Sequence, residues 1–441
     1  MDLTGRLRSI VRAPNAPPRE LTYEPDIGRY EATIDIDRVA DVLGGRVVEN
    51  RFGRALIVDR RYESDRFHGS RRVGECDVAD GETLKLLDPT LPPPDGGGSR
   101  TLFVDLETTG LSGGAGTVAF LVGCGWFDMG AFQVRQFLLT SYASERALLS
   151  AVAECFGATS LLVTYNGKTF DVPVMETRWL FHRMPLPLES VRHFDMLHPA
   201  RRLWRPRLGT PPDGTEGGCR LATLERVLCG VNRVGDIPGM DIPGRYFRFL
   251  RSGDALPLEP VLEHNRLDLI SLAAVCAHAV QLVEEGTPRC RDGAEAVALG
   301  RVYERAGCAD RAIAAYQRAA ADPSAHLDVV LEAIYRLGLR LRRDRRFAEA
   351  ADCWRRLLEM KGPRLRHGYG GQGSILLAPL RQFAVEALAI HHEHRERDYE
   401  GAKELTLQLL EEVDGPVKVE ATRRRLARLD RKLSTTASLL D

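Results

Sequence analysis

Asp105 and Glu107 stand one residue apart at the end of an apolar run, Thr101-Leu-Phe-Val-Asp105-Leu-Glu107. On a strand both carboxylates leave the same face. Two such charges repel unless a proton or a cation lies between them, and a hard divalent ion with oxygen ligands suits the pair. Further along, Ser160-Leu-Leu-Val-Thr-Tyr165-Asn166 reads as another buried strand, followed by a helical run from Val174 to Arg183. Asp171 falls at the corner between them, where Pro173 is tolerated only in a first helical turn. There it either caps the helix or faces the carboxyl end of the sheet, where ligand sites collect in open α/β folds. A third segment, Val261 to Leu282, reads as a helix carrying His264 and Asp268 four residues apart. That spacing puts imidazole and carboxylate on one helix face.

In chain order these are a D-x-E pair on a strand, Asn166-x-x-x-Phe170-Asp171 at a strand-helix corner, and His264-x-x-x-Asp268 on a late helix. The set resembles the DEDD superfamily of 3′-5′ exonucleases, which has a ribonuclease H-like fold, and more closely the YprB-type ribonuclease H-like domain family. The likeness runs from about Arg100 to Leu282 and takes in Phe194-Asp195-Met-Leu-His198, Leu221-Ala-Thr-Leu-Glu225 and Ile242-Pro-Gly-Arg-Tyr246. The resemblance implies a site for two Mg²⁺ or Mn²⁺ ions, with Asp105 shared, Glu107 and Asp268 on one ion and Asp171 on the other. It also implies hydrolysis of phosphodiester bonds from the 3′ end of single-stranded DNA or RNA. His264 departs from the pattern: three residues separate it from Asp268, the spacing of the branch that uses tyrosine, where the histidine branch has four. It is either the general base, an orienting group for water, or a phosphate contact. Two other readings stay open, a structure-selective endonuclease using the same acids and a non-catalytic adaptor built on a nuclease-like scaffold.

The elements that must position these residues follow from pattern. Thr101 to Asp105, Val118 to Phe127 and Ala131 to Thr140 read as three strands, with Asp128-Met129-Gly130 as a hairpin turn. Ser144 opens an amphipathic helix with Ala147, Leu148, Ala151, Val152 and Cys155 on its apolar face. A meander followed by a helix and a parallel strand is the order the resemblance implies, an α/β protein with a ribonuclease H-like mixed sheet flanked by helices. Gly110, Gly113, Gly114 and Gly116 permit a tight backbone after the first strand, but no Gly-Lys-Ser/Thr follows, which argues against P-loop nucleotide hydrolysis.

A chain of 441 residues predicts two or three domains, and equal counts of basic and acidic residues leave local charge to identify the partner. Between Arg192 and Arg207 five arginines face one acid. Arg201, Arg202, Arg205 and Arg207 can grip phosphates while Trp204 stacks on a base, or Trp204 packs inward from a solvated basic helix. Asn166 and Lys168, at the end of the strand that begins at Ser160, complete the candidate nucleic-acid contacts. Nine cysteines without C-x-x-C spacing read as reduced structural thiols, and His391, His392 and His394 as solvent-facing groups on a charged helix. With neither a signal peptide nor an apolar run of membrane-spanning length in view, the expectation is a cytoplasmic protein with no membrane partner.

Three regions are predicted. Residues 1–98 form an N-terminal region: a flexible start from Met1 to Pro25, strands at Gly44-Gly45-Arg-Val-Val and Ala55-Leu-Ile-Val-Asp, and a linker from Pro92 to Gly98. This region reads as a small accessory module or a flap. Residues 99–285 form the nuclease domain. Residues 286–441 resemble tetratricopeptide repeats, an all-α tail. Leu299-Gly300, Tyr303, Gly307, Ala312, Tyr316, Ala319 and Pro323 make one unit, and Leu337-Gly338, Ala350, Trp354 and Leu357 a second. A fainter third spans Ala387 to Leu410, after an insert from Gly362 to Gly373. Such repeats hold a protein partner in a concave groove or buttress the neighbouring domain.

Overall fold

The computed structural model describes residues 34–77, 81–93, 100–110, 116–188, 191–208, 219–360, 376–413 and 415–437. The stretches predicted as a flexible start, the repeat insert and most of the linker therefore lie outside the described residues, as do Gly113 and Gly114. A helix α1 (Ile36–Leu43) precedes strands β1 (Arg46–Asn50) and β2 (Gly53–Tyr62), a short ribbon β3 (Phe67–His68) and β4 (Arg71–Arg72), and helix α2 (Glu82–Leu87). Then come β5 (Arg100–Thr108), β6 (Ala119–Asp128), β7 (Ala131–Leu138), α3 (Glu145–Phe156), β8 (Thr159–Thr164), α4 (Asp171–Phe181) and β9 (Arg192–Asp195).

Seven strands form one mixed sheet in the order β1-β2-β7-β6-β5-β8-β9. The β5-β6-β7 meander is antiparallel, and β8 and β9 add in parallel beside β5. Between β6 and β7 the chain reverses through Met129 at φ 50° and Gly130 at φ 77°, the left-handed pair a two-residue hairpin requires. The expected α/β fold class is thus present. One expectation about its edge is corrected: β1 and β2 are no separate module or flap. β2 pairs antiparallel with β7, bringing Asp59 opposite Arg135, and the two side chains form an ion pair of 2.6 Å. The boundary at 98/99 divides the chain without dividing the sheet.

Alternation along β5 sorts its side chains to two cores. Leu102, Val104 and Leu106 face a core closed by α1, α3, α4 and α7 (Ile242–Ser252). Phe103 faces the other, with α5 (Leu197–Leu208), the short α6 (Leu221–Leu224) and the long α8 (Glu259–Glu285). Asp105 and Glu107 share the Phe103 face. α8 has the length and apolarity of a membrane span, contrary to the expectation that no such run exists. In the fold most of its apolar stretch is buried, so its apolarity is that of a core helix.

Beyond α8 the described chain is helical: α9 (Gly293–Arg305), α10 (Ala309–Ala320), α11 (Leu327–Arg343), α12 (Phe347–Glu359), α13 (Leu377–His391), α14 (Tyr399–Glu412) and α15 (Pro416–Ala437). They pack as the antiparallel pairs the repeat pattern predicts. A Cβ added at Gly300 would collide with the ring of Tyr316, and one at Gly338 with the indole of Trp354. In both units a glycine on the first helix lets an aromatic ring of the second lie against its backbone.

Candidate active site

Asp105 and Glu107 lie side by side along β5, half-buried, and both carboxyls are pushed well above the usual carboxylate range. Burial is the largest cause for each. For Asp105 the charges of Asp268, Glu107 and Asp171 follow, and for Glu107 those of Asp268, Asp171 and Asp236. The four acids predicted from spacing therefore meet at one place, close enough for each to oppose its neighbours' ionisation.

β5 pairs with β8 only through Phe103, so beyond that residue its edge is free and the two strands part. α4 begins in that gap. Asp171 is its first residue, and its carboxyl is raised to about 7 by burial and by Asp195, against backbone hydrogen bonds from its own N–H and that of Leu106. Asp195, at the end of β9, holds the intervening loop: its carboxylate accepts the backbone N–H of Asn166 at 2.8 Å and of Lys168 at 3.0 Å. Asn166 has φ 68° there, a left-handed residue in the tight exit from β8.

α8 contributes from above. Asn265 donates through Nδ2 to Asp105 Oδ2 at 2.8 Å, and its Oδ1 accepts from Gln136 Nε2, also at 2.8 Å. Gln136 is fully buried on β7 and donates as well to the Leu262 carbonyl. Asp105 is thus oriented by a helix that is itself pinned to the sheet. One turn on, Asp268 Oδ1 takes a hydrogen bond of 2.5 Å from Arg233. Arg233 also engages Glu225 through two nitrogens, at 2.6 and 2.9 Å, and Asp236 at 3.1 Å. Glu225 in turn accepts from Ser271, which bonds His68 of the β3-β4 ribbon at 2.9 Å.

His264 sits between two acids, with Nδ1 2.7 Å from Asp236 Oδ1 and Nε2 3.5 Å from Asp268 Oδ2. Burial opposes charge on Asp236, but hydrogen bonds from His264 and Arg233 outweigh it and hold this carboxyl below its usual range. An ionised Asp236 can only accept, so Nδ1 donates to it and Nε2 faces Asp268. Asn265, Arg233, Asp236, Asp195 and Gln136 were not singled out as site residues from the sequence. Asn265 at least adjoined the histidine motif, whereas Arg233 and Asp236 come from an irregular stretch with no period to mark it.

Two candidate nucleic-acid contacts are corrected. Trp204 is 1% exposed and donates its indole N–H to Glu295 of α9 at 2.8 Å, so it is core and unavailable to stack on a base. Arg202 is half-buried and donates to the Leu87 carbonyl at 2.8 Å. Arg201 and Arg205 are exposed on α5, and Lys168 reaches Asp88 at 3.3 Å from an exposed loop with Asn166. The helical-tail histidines also differ from expectation: His391 and His392 are partly buried and pair with Glu396 at 3.1 Å, and His392 pairs with Asp398 at 2.8 Å.

A mixed sheet with Asp105 and Glu107 on one strand face, Asp171 at the helix start beside it and Asp268 on the long helix packed against it has the form of a ribonuclease H-like protein, and residues 102–280 match a family model described as RNase_H superfamily. The chain is also similar to Uncharacterized protein YprB of Bacillus subtilis (strain 168), 30% identical over 393 aligned residues, with 86% of each chain covered. It belongs to the YprB family and carries a ribonuclease H superfamily domain at residues 102–280.

Proposed function

We propose that this protein is a metal-dependent 3′-5′ exonuclease acting on single-stranded DNA or RNA in the cytoplasm. One observation carries the reading: Asp105, Glu107, Asp171 and Asp268 converge so tightly that burial and mutual repulsion push the proton affinity of Asp105 and Glu107 far up. Such a donor set, all oxygen and strongly anionic, fits two hard ions such as Mg²⁺ or Mn²⁺. Bound there, they would supply Lewis acidity and a nucleophile at neutral pH. The protein's own groups do the rest. Asn265 fixes the Asp105 carboxylate, Arg233 fixes Asp268, and Asp236 aligns His264 so that Nε2 can take a proton. Nine free thiols among the described residues agree with a reducing compartment.

The test is digestion of end-labelled linear, 3′-blocked and circular single strands, and of duplexes, of DNA and RNA with Mg²⁺ or Mn²⁺. Stepwise shortening from the 3′ end, absent from blocked and circular substrates, is expected. Cutting of circles would replace the exonuclease by an endonuclease. Asp105→Ala should abolish cleavage while melting in EDTA no lower than the parent, because one of the repelling acids is gone.

A further inference from the structure

The repeat domain carries a second concentration of charge, away from the acids. Arg301, Glu304, Arg305, Arg336, Leu339 and Arg343 line a cavity of about 570 Å³ between α9 and α11, the first helices of consecutive repeats. Positions 301 and 305 share one face of α9, and 336, 339 and 343 one face of α11. Four guanidinium groups meet two carboxylates here. Glu332 is shared by Arg301 and by Arg336, the latter at 2.7 Å, and Glu304 pairs with Arg343 at 2.6 Å. The positive excess is left standing. Arg305 makes no ion pair among the described residues, and the Nε of Arg301 is buried without an acceptor. Burial and the charge of Arg336 both make Arg301 harder to keep protonated. Like charges held together in this way are a site waiting for an anion.

We infer that this arginine-lined groove binds the phosphate backbone of single-stranded nucleic acid, extending the track that leads to the acid cluster. The groove adjoins the nuclease domain: Arg202 of α5, itself pushed down by burial, also feels the charge of Arg305. Asp88 lies between Arg202 and Lys168, and Lys168 belongs to the loop that leads into Asp171. A peptide groove needs apolar recesses for side chains, whereas this lining is charged except for Leu339. A polyanion needs only the arginines.

The inference rests on the nuclease reading, and the experiment separates the two. Binding of fluorescent 5-, 15- and 30-nucleotide single strands is measured by anisotropy across a salt series, with the full-length Asp105→Ala protein as the non-cleaving parent. Arg305→Glu and Arg343→Glu are added singly and together, with Arg424→Glu on α15 as a charge control and circular dichroism melts as a folding control. The expected result is a parent whose affinity grows with length, and a double variant that loses about tenfold or more on the 30-mer. Its salt slope should also fall by about 0.7 for each phosphate contact removed. Arg305→Lys should restore most of the loss. If the wild-type enzyme cleaves nucleic acid but the charge reversals leave length and salt dependence as in the parent, the groove assignment is overturned and the nuclease stands. If the wild type neither binds nor cleaves any oligonucleotide, the nuclease reading fails and takes the track with it. A fluorescent oligoglutamate is titrated alongside, and loss of its binding in the double variant with oligonucleotide binding intact would make the groove a peptide site instead.

Discussion

Asp171 shows how a single carboxyl couples ion binding to pH. In an unfolded chain an aspartate ionises near ~3.9. Here burial and Asp195 keep its proton to about 7, so between those values the native state holds the extra proton and loses stability as pH rises. Asp105 and Glu107 act in the same direction. His68, His193 and His278 oppose them: burial pushes each down to about 4, so their contribution is lost as pH falls from about 6.5 toward 4. A plain stability profile therefore mixes two opposite slopes. The difference between melts with Mn²⁺ and melts with EDTA isolates the acids, because the ion must displace their protons. That difference should be several degrees larger at pH 8 than at pH 5.5, and an equal shift at both would contradict an ion held by these acids. The four acids were legible because each sits in a local pattern: a strand face, a strand-helix corner, a helical repeat of four. Arg233 and Asp236 were not, since what makes them matter is where an irregular segment folds back.

At the scale of elements, α8 decides whether the site exists, and Gly123 decides whether α8 can approach. Gly123 lies on β6 opposite Asp105. A Cβ there would run into the Asn265 carboxamide, which bonds both Asp105 and Gln136. Gly123→Ala should cost about 1–3 kcal/mol by overpacking. It should also weaken ion binding, because the helix that aims Asn265 and Asp268 is lifted from the sheet. Isothermal titration with Mn²⁺ alongside a urea melt reads both. Normal ion affinity in a destabilised protein would mean that Asn265 does not orient Asp105. The helix itself could be read from its apolar period and its His-Asp pair. Its depth in the fold could not, because a glycine in a strand pattern signals a close approach without naming the partner. Likewise β2 was visible as a strand, but its pairing with β7 links residues seventy or more positions apart. Register of that kind leaves no mark in either segment alone.

For the whole molecule, nuclease and repeats share one apolar core that runs from Phe103 and Phe194 in the sheet through α8 to Leu331 and Trp354 in the repeats. Trp204 is the polar pin in that seam, since its indole reaches Glu295, whose carboxylate also takes Arg291 at 2.8 Å. The tryptophan was readable either as a stacking platform or as core, and only the arrival of α9, some ninety residues later, settles it. A buried seam joins the repeats to the sheet domain by packing as well as by the chain. Trp204→Phe removes one hydrogen bond from a carboxylate that keeps its arginine, and should cost about 1–2 kcal/mol. Trp204→Ala opens a cavity at the junction and should cost about 3–5 kcal/mol. With a shared core both variants unfold in one transition, seen at the same denaturant concentration by far-ultraviolet circular dichroism and by loss of Mn²⁺ binding. Two separated transitions, with ion binding surviving after the helical signal has gone, would show that the domains fold independently and that the seam does not hold the acids in place.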